Sequence, residues 1–196
     1  MSSRELLERA RAAGVILWRD GERLRWRGQS EVVAALLPDL AAHKAELMSF
    51  LKSQGISNLV AITGDLHAFQ AGVVRDVPNP ATGTPVMVDL MSAGISSRPF
   101  FEDIKTYSAG MPLGALVASP QAVDAFVRQN NPDMAYADHD GIGYASATVT
   151  PGQFVAIFNK VKPLNADGSA PAAALAKRTR ITVNAGAVAV VVEDNI

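Results

Sequence analysis

The residues able to do chemistry in this 196-residue chain are few and stand in short groups. A continuous apolar run from Asn58 to Thr63, NLVAIT, ends in Gly64-Asp65-Leu66-His67. A strand running into Gly-Asp-x-His presents a carboxylate and an imidazole two residues apart at its carboxyl edge, where α/β sheets build their sites. Both groups are donors for a hard or borderline divalent metal. The same four letters also suit a plainer role, with Asp65 capping a turn and His67 making one hydrogen bond. Asp138, His139 and Asp140 in ADHDG form a second dense group, which reads as a charged turn between Met134 and Tyr144. His43 falls on the apolar face of a helix and reads as a packing histidine. Ser92, Ser96 and Ser97 in MSAGISS lack the G-x-S-x-G elbow of a serine nucleophile and read as loop residues.

Composition narrows the chemistry further. The chain has no cysteine, which removes disulfides, thiolate ligands, iron–sulfur sites and cysteine nucleophiles together. A net charge of -1 gives no bulk attraction to nucleic acid or to anionic lipid, so neither is expected as a partner. The first twenty residues show no apolar signal core, and the longest apolar run, AGAVAVVV from Ala185 to Val192, is too short to span a bilayer. The expected location is cytoplasmic, and no membrane contact is expected.

Positioning these groups requires two kinds of segment. Up to about residue 55 the sequence reads helix, hairpin, helix, helix. A capping box at Ser2 and Glu5 opens an amphipathic helix that stops at Gly14. Two alternating runs around an Asp20-Gly21 turn then place Ile16, Trp18, Leu24 and Trp26 on one face of a hairpin, with Arg19, Arg23, Arg25 and Arg27 on the other. Ser30 caps a helix through Leu37, and Leu40, His43, Leu47, Phe50 and Leu51 recur on one helical face up to Gly55. Beyond it, NLVAIT reads as a buried strand. Further strands are expected at 70–75, 85–90, 143–150, 154–162 and 178–184, with helices at 99–106 and 120–129. The fold class is mixed α/β, an α+β arrangement.

Four stretches, NLVAITGDLHAFQAG, VDLMSAGISS, NNPDMAYADHDGIGYASATVTPGQF and NKVKPLNADGSAPAAALAKRTRITVNAG, together resemble the carboxyl-terminal part of the PhoD-like alkaline phosphatases from about Leu47 onward. The resemblance implies part of a calcineurin-like metallophosphatase sandwich, a phosphate ester substrate, and calcium, iron or similar ions as cofactors. It makes Asp65 and His67 metal ligands. The upstream part of that family, which carries its other ligands, has no counterpart here, so the implied site is incomplete.

Residues 4 to 51 are similar to the TubC-type docking domains of nonribosomal peptide and polyketide synthetases, through LLERARAAGVILWRDGERLRWRG and LLPDLAAHKAELMSFL. That resemblance implies a docking domain over 1–52, ahead of the phosphatase region at 53–196. It further implies a homodimer whose hairpin arginines, Arg19, Arg23, Arg25 and Arg27, bind an acidic peptide from a partner subunit. The alternative for those arginines is a merely solvated face. The segment KAELMSFLKSQG suits both resemblances and marks where two genes would join. Three functional readings follow: a remnant phosphatase with half a metal site, a noncatalytic docking protein, and a chain whose missing ligands come from another subunit.

Overall fold

The computed structural model describes residues 3–14, 16–20, 23–27, 35, 39, 43, 46–77, 79–111, 114 and 117–196. The chain divides into two compact units, Met1–Leu51 and Lys52–Ile196.

In the first unit, α1 (Ser3–Ala12) carries Glu5 in its first turn and Arg9 and Arg11 in its last, which suits the helix dipole. Strands β1 (Ile16–Asp20) and β2 (Arg23–Arg27) form an antiparallel hairpin. Its register differs from the expected one. Asp20 pairs with Arg23, Trp18 with Arg25 and Ile16 with Arg27, so the two residues between the strands are Gly21 and Glu22. A slip of one residue exchanges the parity of one strand against the other. Arg23, Arg25 and Arg27 therefore share the parity of Ile16 and Trp18, and Arg19 shares that of Leu24 and Trp26. The four arginines do not form one row. Their side chains, like most of the expected helix from Ser30 onward, lie outside the described residues. Residues 46–53 form helix α2, in which Met48 and Leu51 are buried.

The second unit is a sandwich of two four-stranded sheets. The first holds β3 (Val60–Thr63), β4 (Phe69–Arg75), β5 (Pro85–Met91) and β6 (Met134–Asp138), in the order β3-β5-β4-β6. Only β3 and β5 run parallel, and β4 is antiparallel to both of its neighbours. The second sheet is an antiparallel meander of β7 (Gly143–Val149), β8 (Gln153–Val161), β9 (Leu175–Asn184) and β10 (Val191–Asp194). Helices α3 (Phe100–Ser108) and α4 (Pro120–Asn130) come between β5 and β6. The α4 start is set by Ser119, whose hydroxyl accepts from Ala122 N–H, and by Pro120 in the first turn.

Strict alternation places the core. Val86, Val88 and Leu90 of β5 face inward, as do Thr179, Ile181 and Val183 of β9. Phe69, Ala71, Val88, Leu90 and Tyr136 from the first sheet close on Ala156, Phe158, Ile181 and Val183 from the second. The expected strands and helices of this unit are present with small changes at their ends. Two elements were not anticipated, β6 and β10. One expectation is corrected: β3 is an edge strand with Ile62 62% exposed, because its far side has no strand partner among the described residues.

The crossing from β6 to β7 depends on glycine. Gly143 has φ +153°, and a Cβ there would lie 2.0 Å from the Asn159 carbonyl oxygen, inside the β7–β8 ladder. Replacing Gly143 with Ala is expected to destabilise the chain by about 2–4 kcal/mol. Gly152→Ala, which meets open space, should stay within about 0.5 kcal/mol. Urea unfolding of the two variants side by side checks this.

Candidate metal and phosphate site

Strand β3 delivers Asp65 and His67 to the surface at its carboxyl end. Both adopt left-handed backbone, φ 73° and 58°, on either side of Leu66. Non-glycine residues rarely hold this conformation, and each such residue costs on the order of 1 kcal/mol unless its surroundings over-determine it. Both side chains are exposed. The His67 imidazole is not free to turn, because its Nδ1–H donates to the Arg98 carbonyl at 3.0 Å. That bond fixes the tautomer and leaves the Nε2 lone pair as the acceptor facing outward, the usual arrangement behind a metal-binding histidine. The backbone is tied down as well, since Phe100 N–H donates to the His67 carbonyl at 3.1 Å.

The loop after β5 lies against this turn. Ser92 N–H donates to the Thr63 carbonyl at 3.0 Å, extending the parallel ladder by one rung. Arg98 is committed to α3, through Asp103 at 3.2 Å, the Glu102 carbonyl at 2.9 Å and the Thr106 hydroxyl at 2.8 Å. Ser96 is exposed, and Ser97 Oγ is buried without a hydrogen-bond partner. Ser92 Oγ donates to the Ala93 carbonyl at 3.2 Å, and no hydrogen bond joins these serine hydroxyls to a histidine among the described residues. A cleft of about 200 Å³ opens on the outer face of the first sheet beside Gln70 and Met91, with Asp89 accepting from the Thr63 hydroxyl at 3.0 Å in its lining.

The ADHDG segment is not a solvated turn. Asp138 closes β6 at 4% exposure and His139 is 1% exposed. Each charge or dipole is answered by a distant residue, which is why the burial is tolerable. Lys160 Nζ donates to Asp138 at 2.9 Å, and Lys177 lies 3.6 Å from its other oxygen. Asp124 of α4 accepts from both His139 N–H, at 3.0 Å, and His139 Nδ1–H, at 2.7 Å. His139 Nε2 then accepts from the Gln70 amide at 2.8 Å. His43, in the first unit, donates from Nδ1 to the Asp39 carbonyl at 2.7 Å, the contact of a packing histidine.

The ion cluster continues across the second sheet. Lys177 lies over the Tyr136 ring, 5.2 Å from its centroid, and 3.2 Å from Asp194. Partial burial pulls the Lys177 ammonium down, but the bond to the Tyr136 phenol and the charges of Asp138 and Asp194 outweigh it, and its pKa is raised. Burial pushes the Tyr136 phenol and the Asp140 carboxyl up. For Asp194 partial burial also acts upward, yet the Thr179 hydroxyl at 2.5 Å and Lys177 together hold the carboxyl below its ordinary value. The lysines are ion-pair partners here, and every charge in the cluster is answered within it.

Asp65 and His67 thus offer two donors on one turn. Among the described residues no group of three or more His, Asp or Glu side chains stands close enough to hold an ion. A hydrolytic metal takes about three or four protein ligands. The pair therefore fits as part of a ligand shell and does not complete one.

Comparison with known proteins agrees on the family level. The PhoD-like phosphatase family model matches residues 25–158, from within β2 to within β8, and so begins upstream of Leu47 and ends before β9. A solved structure described as "Structure of PhoD" is similar in fold, with a TM-score of 0.53 and 19% identity, over 79% of this chain and 25% of that chain. The chain spans a quarter of that protein's length. No curated protein matches the sequence. Among the described residues no helix is long and apolar enough to cross a membrane.

The Asp194 network carries a pH dependence. A carboxyl held low in the folded state adds stability that is present above its unfolded pKa, ordinarily 3.8, and is lost as pH falls through the lower folded value. The side chain is 42% exposed, so solvent screening limits the gain to about 0.5–1 kcal/mol. Wild type should exceed Asp194→Asn by that amount at pH 7, and the gap should close between pH 4 and 2. Denaturant unfolding across that range measures it.

Proposed function

Because the chain belongs to the PhoD-like phosphatase family, we propose that it carries part of the metal-binding face of a phosphate ester hydrolase, with Asp65 and His67 as two of the ligands. The observation that carries this reading is the His67 turn: a left-handed histidine whose Nδ1–H is held by the Arg98 carbonyl, beside an exposed carboxylate at the end of a strand. Bound divalent ions, calcium, iron or similar, would supply activated hydroxide and clamp the phosphate oxygens. The protein's own contribution is to hold two donors still at the strand ends. Further ligands would come from residues other than those described, or from a second subunit.

The position of β3 supports this. Its outer edge has no strand partner among the described residues, and it carries no charge, proline or bulge to discourage pairing. A segment that supplies further ligands has direct access to the turn along that edge. The proposed joint at KAELMSFLKSQG coincides with the division of the chain at Leu51 and Lys52, whereas the family match begins upstream of it, at residue 25.

A second reading concerns the first unit. The β1–β2 hairpin presents paired strand edges and places Arg23, Arg25 and Arg27 at alternate positions. We propose it as a docking surface for an acidic strand, within a homodimer formed by this unit. Fluorescence anisotropy with a labelled acidic peptide tests it. Affinity should fall at least tenfold in Arg23→Glu/Arg25→Glu and weaken steadily with salt; a salt-independent or absent signal sinks the docking reading.

For the phosphatase reading, hydrolysis of a phosphomonoester and a phosphodiester is measured with added calcium, iron, manganese or zinc, alongside ion binding by calorimetry. The isolated chain should turn over slowly and bind ions weakly, and Asp65→Ala and His67→Ala should each reduce ion affinity at least tenfold. Ion binding unchanged in both variants refutes the assignment.

A further inference from the structure

We infer that His139, held by Asp124 and bonded to Gln70, is a positioning residue that keeps the His67 imidazole in its Nδ1–H form. This inference rests on reading Asp65 and His67 as ligands, and it adds residues that the GDLH motif does not contain.

The argument is a closed circuit of hydrogen bonds. Gln70 follows His67 by three residues, and its amide donates to His139 Nε2 at 2.8 Å. Nε2 is an acceptor only because Nδ1 carries the proton, which it donates to Asp124 at 2.7 Å. The same carboxylate oxygen accepts the His139 backbone N–H at 3.0 Å, so Asp124 sets both the backbone and the ring of His139. On the other side, Phe101 N–H donates to the His139 carbonyl at 2.9 Å, while its neighbour Phe100 N–H donates to the His67 carbonyl at 3.1 Å. The start of α3 is thereby fixed between the two histidines. Just before it lies Arg98, whose carbonyl holds the His67 ring. The Phe100 ring packs against His139 with centroids 5.8 Å apart. From His139 the turn is thus gripped twice, through Gln70 on β4 and through the first residues of α3.

The circuit answers a need that is present on this turn. Two left-handed residues out of three persist only where neighbours over-determine them. An exposed imidazole left to itself favours the opposite tautomer, with the proton on Nε2. Here the Arg98 carbonyl, by accepting from Nδ1–H, selects the Nδ1–H tautomer instead. A His139 buried to 1% exposure, with both ring nitrogens, its N–H and its carbonyl all bonded, is a rigid post for that purpose.

The test reads the His67 ring directly. The chain has three histidines, so long-range imidazole ¹H–¹⁵N spectra of the labelled full chain resolve each one, with His67→Ala assigning the signal. At pH 8 the wild-type His67 should show the Nδ1–H pattern. Gln70→Leu and Asp124→Ala should raise the Nε2–H form severalfold, whereas Asp124→Asn, whose amide oxygen still accepts both His139 donors, should keep the wild-type pattern. Gln70 is only half-buried, so its variant reports even if Asp124→Ala fails to fold. Unchanged His67 signals in Gln70→Leu, or equal disturbance by Asp124→Asn and Asp124→Ala, overturn the inference. Manganese added to the wild-type sample should broaden the signals of Asp65 and His67. No broadening there, with the tautomer shifts intact, would remove the ligand reading and leave the positioning role standing.

Discussion

The stack of Phe69 on Phe158 is the contact on which the rest of the second unit depends. The rings lie 5.0 Å apart at 23°, and Phe69 is fully buried. Burying such a side chain is worth about 2–3 kcal/mol, and the aromatic pair adds roughly 1 kcal/mol more. Its position matters more than its size. Phe69 comes two residues after His67 and joins the first sheet to the second. Because alternate residues of a strand face opposite ways, fixing Phe69 inward turns Gln70 outward, toward His139. Gly141 makes room for it, since a Cβ there would stand 2.6 Å from the ring. The core contact and the placement of the turn are thus one constraint.

The polar residues divide into two systems that meet in ADHDG. Asp138 faces the second sheet and answers Lys160 and Lys177, while His139 faces the helices and answers Asp124 and Gln70. One strand end therefore anchors an ion network on one face and a hydrogen-bond circuit on the other. Removing a single partner from either would strand a buried group, which costs more than the bond itself is worth. This explains why so much charge is tolerated beside a core of Phe69, Tyr136 and Phe158.

Much of the second unit was legible in the sequence because its signals are local. Strands were expected over 70–75, 85–90, 143–150, 154–162 and 178–184, where β4, β5, β7, β8 and β9 lie, and a helix over 120–129, where α4 begins. What escaped is set by distant partners. MAYAD followed by HDG looks like a polar turn unless Lys160, Asp124 and Gln70, 22, 15 and 69 residues away, are known to meet it. The hairpin erred differently: its strands were evident, but their register pairs Trp18 with Arg25 and Arg19 with Leu24, which sets Arg19 at the opposite parity from Arg23, Arg25 and Arg27. The buried reading of NLVAIT failed because an apolar run does not say whether a neighbour exists on both sides. The GDLH motif itself marked Asp65 and His67, but nothing in it pointed to His139.

The exposed side of β3 and the strained turn at its end belong to one problem. A strand paired on only one side is held less firmly than a central one, and here it leads straight into two left-handed residues. Strand β3 alone, four residues long with Ile62 exposed, gives the turn little support. The support comes instead from after the turn, through Phe69 in the core, Gln70 on His139, and the Phe100 and Arg98 bonds to His67. A pair held in this way keeps its geometry whether or not the edge is covered, so under the proposed ligand reading, further ligands would not need to reorganise it. In the proposed reading, a segment that paired with β3 would bring its own donors to a turn whose Asp65 and His67 are already ordered.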